Sequence, residues 1–184
     1  MTTSNRTAST PSIPSTPAQA PGSWLGNQAA AQRALQRALP GIEPQVADPE
    51  VCGSGFLHIV IMDPALAPGE VGFEEAILAE HSVGDRERWD ADYAAFARAK
   101  ARLSWRSGLD GHVVQARMPH RLREGDTLLW GGICLDGIAI GVSGAHPWYD
   151  EAFALSVAGW FRAEIKRAAA QATTGGALFA GPPR

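Results

Sequence analysis

The stretch GGICLDGIAIGVSGAHPWYDEAFA, Gly131–Ala154, decides how the C-terminal half of the chain folds. Two apolar runs, Ile133–Leu135 and Ile138–Val142, flank Asp136-Gly137, a dipeptide that tolerates the positive φ angles of a tight hairpin turn. The spacing predicts two antiparallel strands. Beyond Ser143-Gly144 the pattern changes. Pro147 suits the first turn of a helix, and Asp150-Glu151 suit the positive end of its dipole, so a closing helix is predicted over His146–Gln171. Gly131-Gly132 leads into the hairpin. A double glycine there marks a bulge or a close approach to the backbone, by a ligand or by another subunit.

Upstream, Ser23 reads as the N-cap of a helix that stops at Pro40-Gly41 and carries Trp24, Ala31, Leu35 and Leu39 near one face. FLHIVIMDP, Phe56–Pro64, is β-branched and apolar and reads as a strand. FEEAILAEHS, Phe73–Ser82, fits a strand or a helix on pattern alone; the short loop before it and Gly84 after it favour a hairpin partner. The clearest helix spans Asp85–Gly108, with Trp89, Tyr93, Phe96, Lys100, Leu103 and Ser104 at steps of three and four and Gly108 as C-cap. His112–Asp126, broken by Pro119, reads as a short strand or a loop. The order is helix, two strands, helix, about three strands, helix. Short connections between strands argue for an α+β fold with a central antiparallel sheet flanked by helices.

Composition bounds the function. The chain has 184 residues, 45% of them hydrophobic, and a net charge of −3 from 16 basic and 19 acidic side chains. It is long enough for one domain with a sizeable core. It lacks the basic excess that neutralises phosphates, so nucleic acid is an unfavoured partner. Cys52 and Cys134 belong to no CxxC pair and read as inert core thiols in a reducing, cytoplasmic setting. No apolar run approaches the ~20 residues that span a bilayer, so no membrane partner is expected. Residues 1–22 are dominated by Ser, Thr, Pro and Ala, without the apolar core of a secretion signal. They read as a disordered tail, and residues 173–184 read as a second. One domain is expected over 23–172.

Candidate chemistry is sparse. None of the five histidines forms a ligand pair by spacing. His58 in a strand and His81 at the end of its partner are neighbours if the hairpin aligns them, and two converging imidazoles ligate a metal or haem iron well. Asp150 and Glu151 resemble an acid–base pair, but a helix start already explains them. Ser143 sits in Gly-x-Ser-Gly, which lacks the final glycine of a nucleophile elbow. Lys100 shares an apolar stripe with Phe96 and Leu103; it either snorkels or meets a ligand carboxylate. Arg106 lies on the same helix.

Two of these segments resemble a known family. FARAKARLSWRSG (Phe96–Gly108) is similar to the Ala-Lys-Ala helix of the GlcG/HbpS-like haem-binding family, also called the haem-degrading domain family. WGGICLDGIAIGVSGAHPWYDE (Trp130–Glu151) is similar to its Gly-Gly, strand, turn, strand, Val-Ser-Gly, Asp-Glu string. The resemblance runs from about Phe56 to Ile165. It implies a profilin-like fold, assembly into homo-oligomers, and haem or iron as a ligand in some members. Together these readings lead to a homo-oligomeric small-molecule-binding protein, with haem among the candidate ligands. Its expected ligand site is Lys100, Gly131, Gly132, Ser143 and His146, with His58 and His81 as metal ligands. The alternative is a metal-assisted enzyme acting on a small organic acid or aromatic metabolite. A third reading gives Trp89, Trp130, Trp148 and Trp160 a purely assembling role.

Overall fold

The computed structural model describes residues 22–174. Apart from Gly22, Thr173 and Thr174, the two expected tails lie outside them. The elements are α1 (Gln28–Val46), β1 (Leu57–Met62), β2 (Ile77–Val83), α2 (Tyr93–Ser107), α3 (Gly111–Arg117), β3 (Gly132–Leu135), β4 (Ile138–Ser143) and α4 (Pro147–Thr174), with 3-10 turns at Arg86–Arg88 and Pro119–Arg121. Every strand pairing is antiparallel, in the order β2-β1-β4-β3. The fold is α+β, as expected, with the architecture of a profilin-like domain.

Strand alternation divides the sheet into two faces. Leu57, Ile59, Ile61, Ile133, Ile140 and Val142 pack against α1 and α4, whose Leu35, Ile42, Phe153, Val157 and Phe161 complete that core. Val60, Met62 and Ala139 face α2 through Ala97 and Ala101. Glu164 on α4 is buried beneath Arg33 and Arg37 of α1 and accepts from their Nε atoms at 2.8 and 2.9 Å. With Arg167 these guanidiniums hold the Glu164 carboxyl down to about 2.

The second face owes its shape to two glycines. Gly132 and Gly141 are cross-strand partners. A Cβ on Gly141 would collide with the Ala97 carbonyl and the Ala101 amide, and one on Gly132 with the Lys100 carbonyl. What approaches the double glycine is therefore the chain's own α2, whose backbone lies directly on the sheet.

Four boundaries differ from expectation. Asn27, not Ser23, caps α1 by accepting from the Ala30 amide at 3.2 Å; the Ser23 amide donates to Asp63, at 3.0 Å from Oδ1. The helix runs through Pro40 and Pro44 to Val46. Both prolines lie on the exposed, solvent-facing side of the helix, while burial of Ile42 and Val46 offsets the lost bonds. The long helix begins only after Asp92, which accepts from Ala95 at 2.9 Å, so Trp89 precedes it. His112–Asp126 contains α3 and a 3-10 turn in place of a strand. Burial of Val114 and the stop at Pro119 outweigh the β-branched composition, so two strands, not three, follow α2.

Candidate functional site

Four of the five expected ligand-site residues come together, but around a filled centre. Lys100 and Asp150 are 3% and 1% exposed. The Lys100 Nζ donates to Asp150 Oδ2 at 2.7 Å, to the Val142 carbonyl at 3.0 Å and to Ser143 Oγ at 3.1 Å. All three ammonium protons are used, so this lysine neither snorkels nor offers a free charge. Burial pushes Lys100 down while Asp150 pulls it back. Burial likewise pushes the Asp150 carboxyl up to about 6 against the pull of Lys100. A Cβ on Gly131 (φ +114°) would meet Asp150 and Lys100, so that glycine makes room for the ion pair.

Asp150 also accepts from the Ala145 amide at 3.0 Å. Capping thus describes one of its oxygens and misses the other. Glu151 points elsewhere, 2.7 Å from His112 Nδ1. His146 stands apart: it is exposed, its ring stacks on Trp148 at 5.4 Å, and its amide donates to the Val51 carbonyl. Arg106 holds Asp126 through two bonds, of 2.9 and 2.6 Å, and so anchors the loop after Pro119.

His58 and His81 do not converge. His58 is paired with Ser82 and Ile59 with His81, so the two imidazoles leave opposite faces of the sheet. Both ring nitrogens of His58 are occupied, Nδ1 by Ser82 Oγ at 2.9 Å and Nε2 by Glu80 Oε1 at 3.3 Å. Among the described residues, no group of three or more His, Cys, Asp or Glu side chains is arranged to hold a metal ion. A two-histidine iron site within one chain does not fit this geometry.

What the structure opens is a cleft of about 340 Å³ at the sheet edge, lined by His58, Glu80, His81, Ser82, Arg86, Ala94 and Arg98; His81 borders it although its strand position turns the ring to the face opposite His58. β1 supplies His58, the edge strand β2 supplies Glu80 and Ser82, α2 supplies Ala94 and Arg98, and the turn between them carries Arg86. Arg98 grips Glu80 with two bonds of 2.7 Å and holds its carboxyl below the usual range. His58, 3% exposed, is pushed down by burial, with Glu80 opposing and Arg86 and Arg98 assisting. Its neutral form is therefore favoured at neutral pH. A carboxylate only accepts, so the neutral ring carries its proton on Nε2 toward Glu80, and Nδ1 accepts from the Ser82 hydroxyl.

Trp89 packs edge-on against His58 at 5.8 Å, and the Arg86 guanidinium lies over Trp89 at 4.9 Å. Arg86 has no carboxylate partner among the described residues. A second, apolar groove of about 210 Å³ is lined by Leu128, Leu129, Trp130, Pro147 and Trp148; Leu128 is 71% and Trp148 57% exposed.

Glu80, Ser82, Arg86 and Arg98 were not among the expected site residues. The available signal was the β1–β2 hairpin, since pairing His58 with Ser82 rather than with His81 assembles the cluster. No protein-family model matches this chain, and no curated protein matches it. No helix among the described residues is long and apolar enough to cross a membrane.

Proposed function

We propose that this chain is a homo-oligomeric small-molecule-binding protein of the cytoplasm, a divergent relative of the GlcG/HbpS-like family. In this reading it takes a compact organic anion in the cleft between β1, β2 and α2. The carrying observation is Arg86, a guanidinium at the cleft with no carboxylate partner among the described residues. Two arginines line the cleft against one carboxylate, Glu80, which leaves a positive surplus while His58 is neutral. The volume lies at the small end of ordinary ligand sites. The exposed Leu128–Trp130 and Pro147–Trp148 groove supports self-association, because contiguous apolar surface of this kind is commonly covered.

The test is the melting temperature of the purified protein with sodium succinate, sodium benzoate or haemin, for wild type and Arg86→Ala. A ligand that binds the native state alone stabilises it by about 2.7 kcal/mol at a hundredfold excess over Kd. The expected result is saturable stabilisation by at least one carboxylate, abolished in the variant. Stabilisation by haemin alone, with a Soret band indifferent to Arg86, would replace the organic anion with haem. No response to any of the three would overturn the binding reading.

A further inference from the structure

We propose that Ser82, His58 and Glu80 form a nucleophile–base–orienter triad, and that the cleft hydrolyses small esters whose acyl group carries an anion. The proposal extends the anion-binding reading of the same cleft and rests on it for substrate class.

Nucleophilic serine chemistry needs a hydroxyl hydrogen-bonded to a base, and that base oriented by a third group. Both links are present: 2.9 Å from Ser82 Oγ to His58 Nδ1, and 3.3 Å from His58 Nε2 to Glu80 Oε1. The chain of roles is that of a serine hydrolase with the two ring nitrogens exchanged. It is built on rigid elements, since Ser82 and His58 are cross-strand partners and Glu80 lies two residues along the same face of β2. The bidentate Arg98 fixes Glu80 in its charged, accepting form. Trp89 closes one side of the His58 ring.

A buried histidine often needs two partners merely to satisfy its nitrogens, and Glu80 and Ser82 would serve that purpose anywhere in a core. Here the serine end of the relay lines an open cleft beside Arg86, whose guanidinium lies over Trp89 and meets no carboxylate among the described residues. Packing alone does not require that placement.

Ser82 Oγ bonds to the ester carbonyl carbon, and its proton passes to His58 Nδ1. The bond to the alcohol oxygen then breaks, and that oxygen leaves with the proton from His58. Water attacks the acyl–Ser82 ester by the same route, releasing the acid and returning the proton to Ser82. Arg86 supplies positive charge for the oxyanion. His58 meets Glu80, Arg86 and Arg98 as its charged neighbours.

The experiment treats the full chain with an alkyl fluorophosphonate, follows the adduct by intact mass, and maps it by peptide analysis. It also measures hydrolysis of 4-nitrophenyl acetate and of the 4-nitrophenyl hemiester of succinate. Fluoride is displaced as the Ser82 oxygen bonds to phosphorus. One adduct is expected, on Ser82, absent in Ser82→Ala and slowed by about a hundredfold or more in His58→Gln, the range for loss of a general base. The hemiester should be hydrolysed faster than the acetate. Glu80→Gln tests positioning by moving the pH profile of labelling, which a purely structural glutamate would leave in place. Ser82→Ala leaves His58 Nδ1 without its partner and should lower the melting temperature modestly, so labelling is compared well below the melting temperature of both proteins, where lost labelling reports chemistry.

No adduct on wild type, an adduct that persists in Ser82→Ala, or a pH profile unmoved in Glu80→Gln would overturn the triad. If carboxylates still stabilise the protein, the binding reading survives that failure. Labelling of Ser82 without any response to carboxylates would instead overturn the anion as substrate class.

Discussion

Replacing Asp150 with Asn removes one member of an ion pair whose side chains are only 3% and 2% accessible. The shape is kept and the amide oxygen still accepts from Ala145, so packing changes little. The Lys100 ammonium loses its 2.7 Å partner and keeps only the Val142 carbonyl and the Ser143 hydroxyl. Breaking a buried pair from one side costs about 3–5 kcal/mol, and the retained cap bond places this variant near the lower limit. Lys100→Met with Asp150→Leu removes both charges and should lie within about 1–2 kcal/mol of wild type.

The pH dependence follows from the direction in which burial moves Lys100. Its folded pKa is depressed, and without Asp150 only the lowering influence of burial is left at full strength. The unfolded chain then binds a proton that the folded chain does not, so stability rises with pH. The deficit of Asp150→Asn should therefore shrink between pH 6 and pH 9. Urea unfolding at both pH values, for wild type, Lys100→Met, Asp150→Leu and their double variant, gives the coupling energy directly, with Asp150→Asn measured beside them. A cost below about 1 kcal/mol, or a deficit that does not change with pH, would refute the account of a charged, mutually dependent pair.

Gly141→Ala places a Cβ against the backbone of Ala97 and Ala101. It should cost about 3 kcal/mol or more in urea unfolding, the upper range for overpacking, whereas Gly159→Ala, with nothing near its added Cβ, should stabilise α4 by roughly 0.5–1 kcal/mol. Trp130→Ser with Trp148→Ser removes the aromatic rings of the exposed groove. Static light scattering should show an assembly for wild type and a lower mass for the double variant, and an unchanged mass would move self-association to another surface.

Local chemistry made the second hairpin and the last helix legible. Asp136 and Gly137 adopt the positive φ angles a two-residue turn demands, and Pro147 and Asp150 sit in the first turn of α4. These signals act within a few residues, so a linear reading captures them. The first helix was harder to end: Pro40 looks like a terminator until the buried positions Ile42 and Val46 beyond it are known. α3 was missed for a related reason, because its short apolar pattern acquires meaning only against the core it touches.

The candidate sites divide along the same line. That Lys100 shares an apolar stripe was visible in the sequence; that it meets Asp150 depends on α2 lying flat on Gly132 and Gly141 across the sheet. For the histidines, the sequence placed His58 in one strand and His81 in its partner, and no further. The Asp63–Ala76 connection is long, and the register slips at Ile61/Met62, so turn geometry does not dictate which residues face each other. A slip of one residue moves every side chain to the opposite face. Only tertiary packing, by burying Leu57, Ile59 and Ile61 against α1 and α4, selected the register that turns His58 toward α2 with Ser82 and Glu80 beside it. The elements were determined by short-range chemistry; the cleft was determined by which face of the sheet each helix covered.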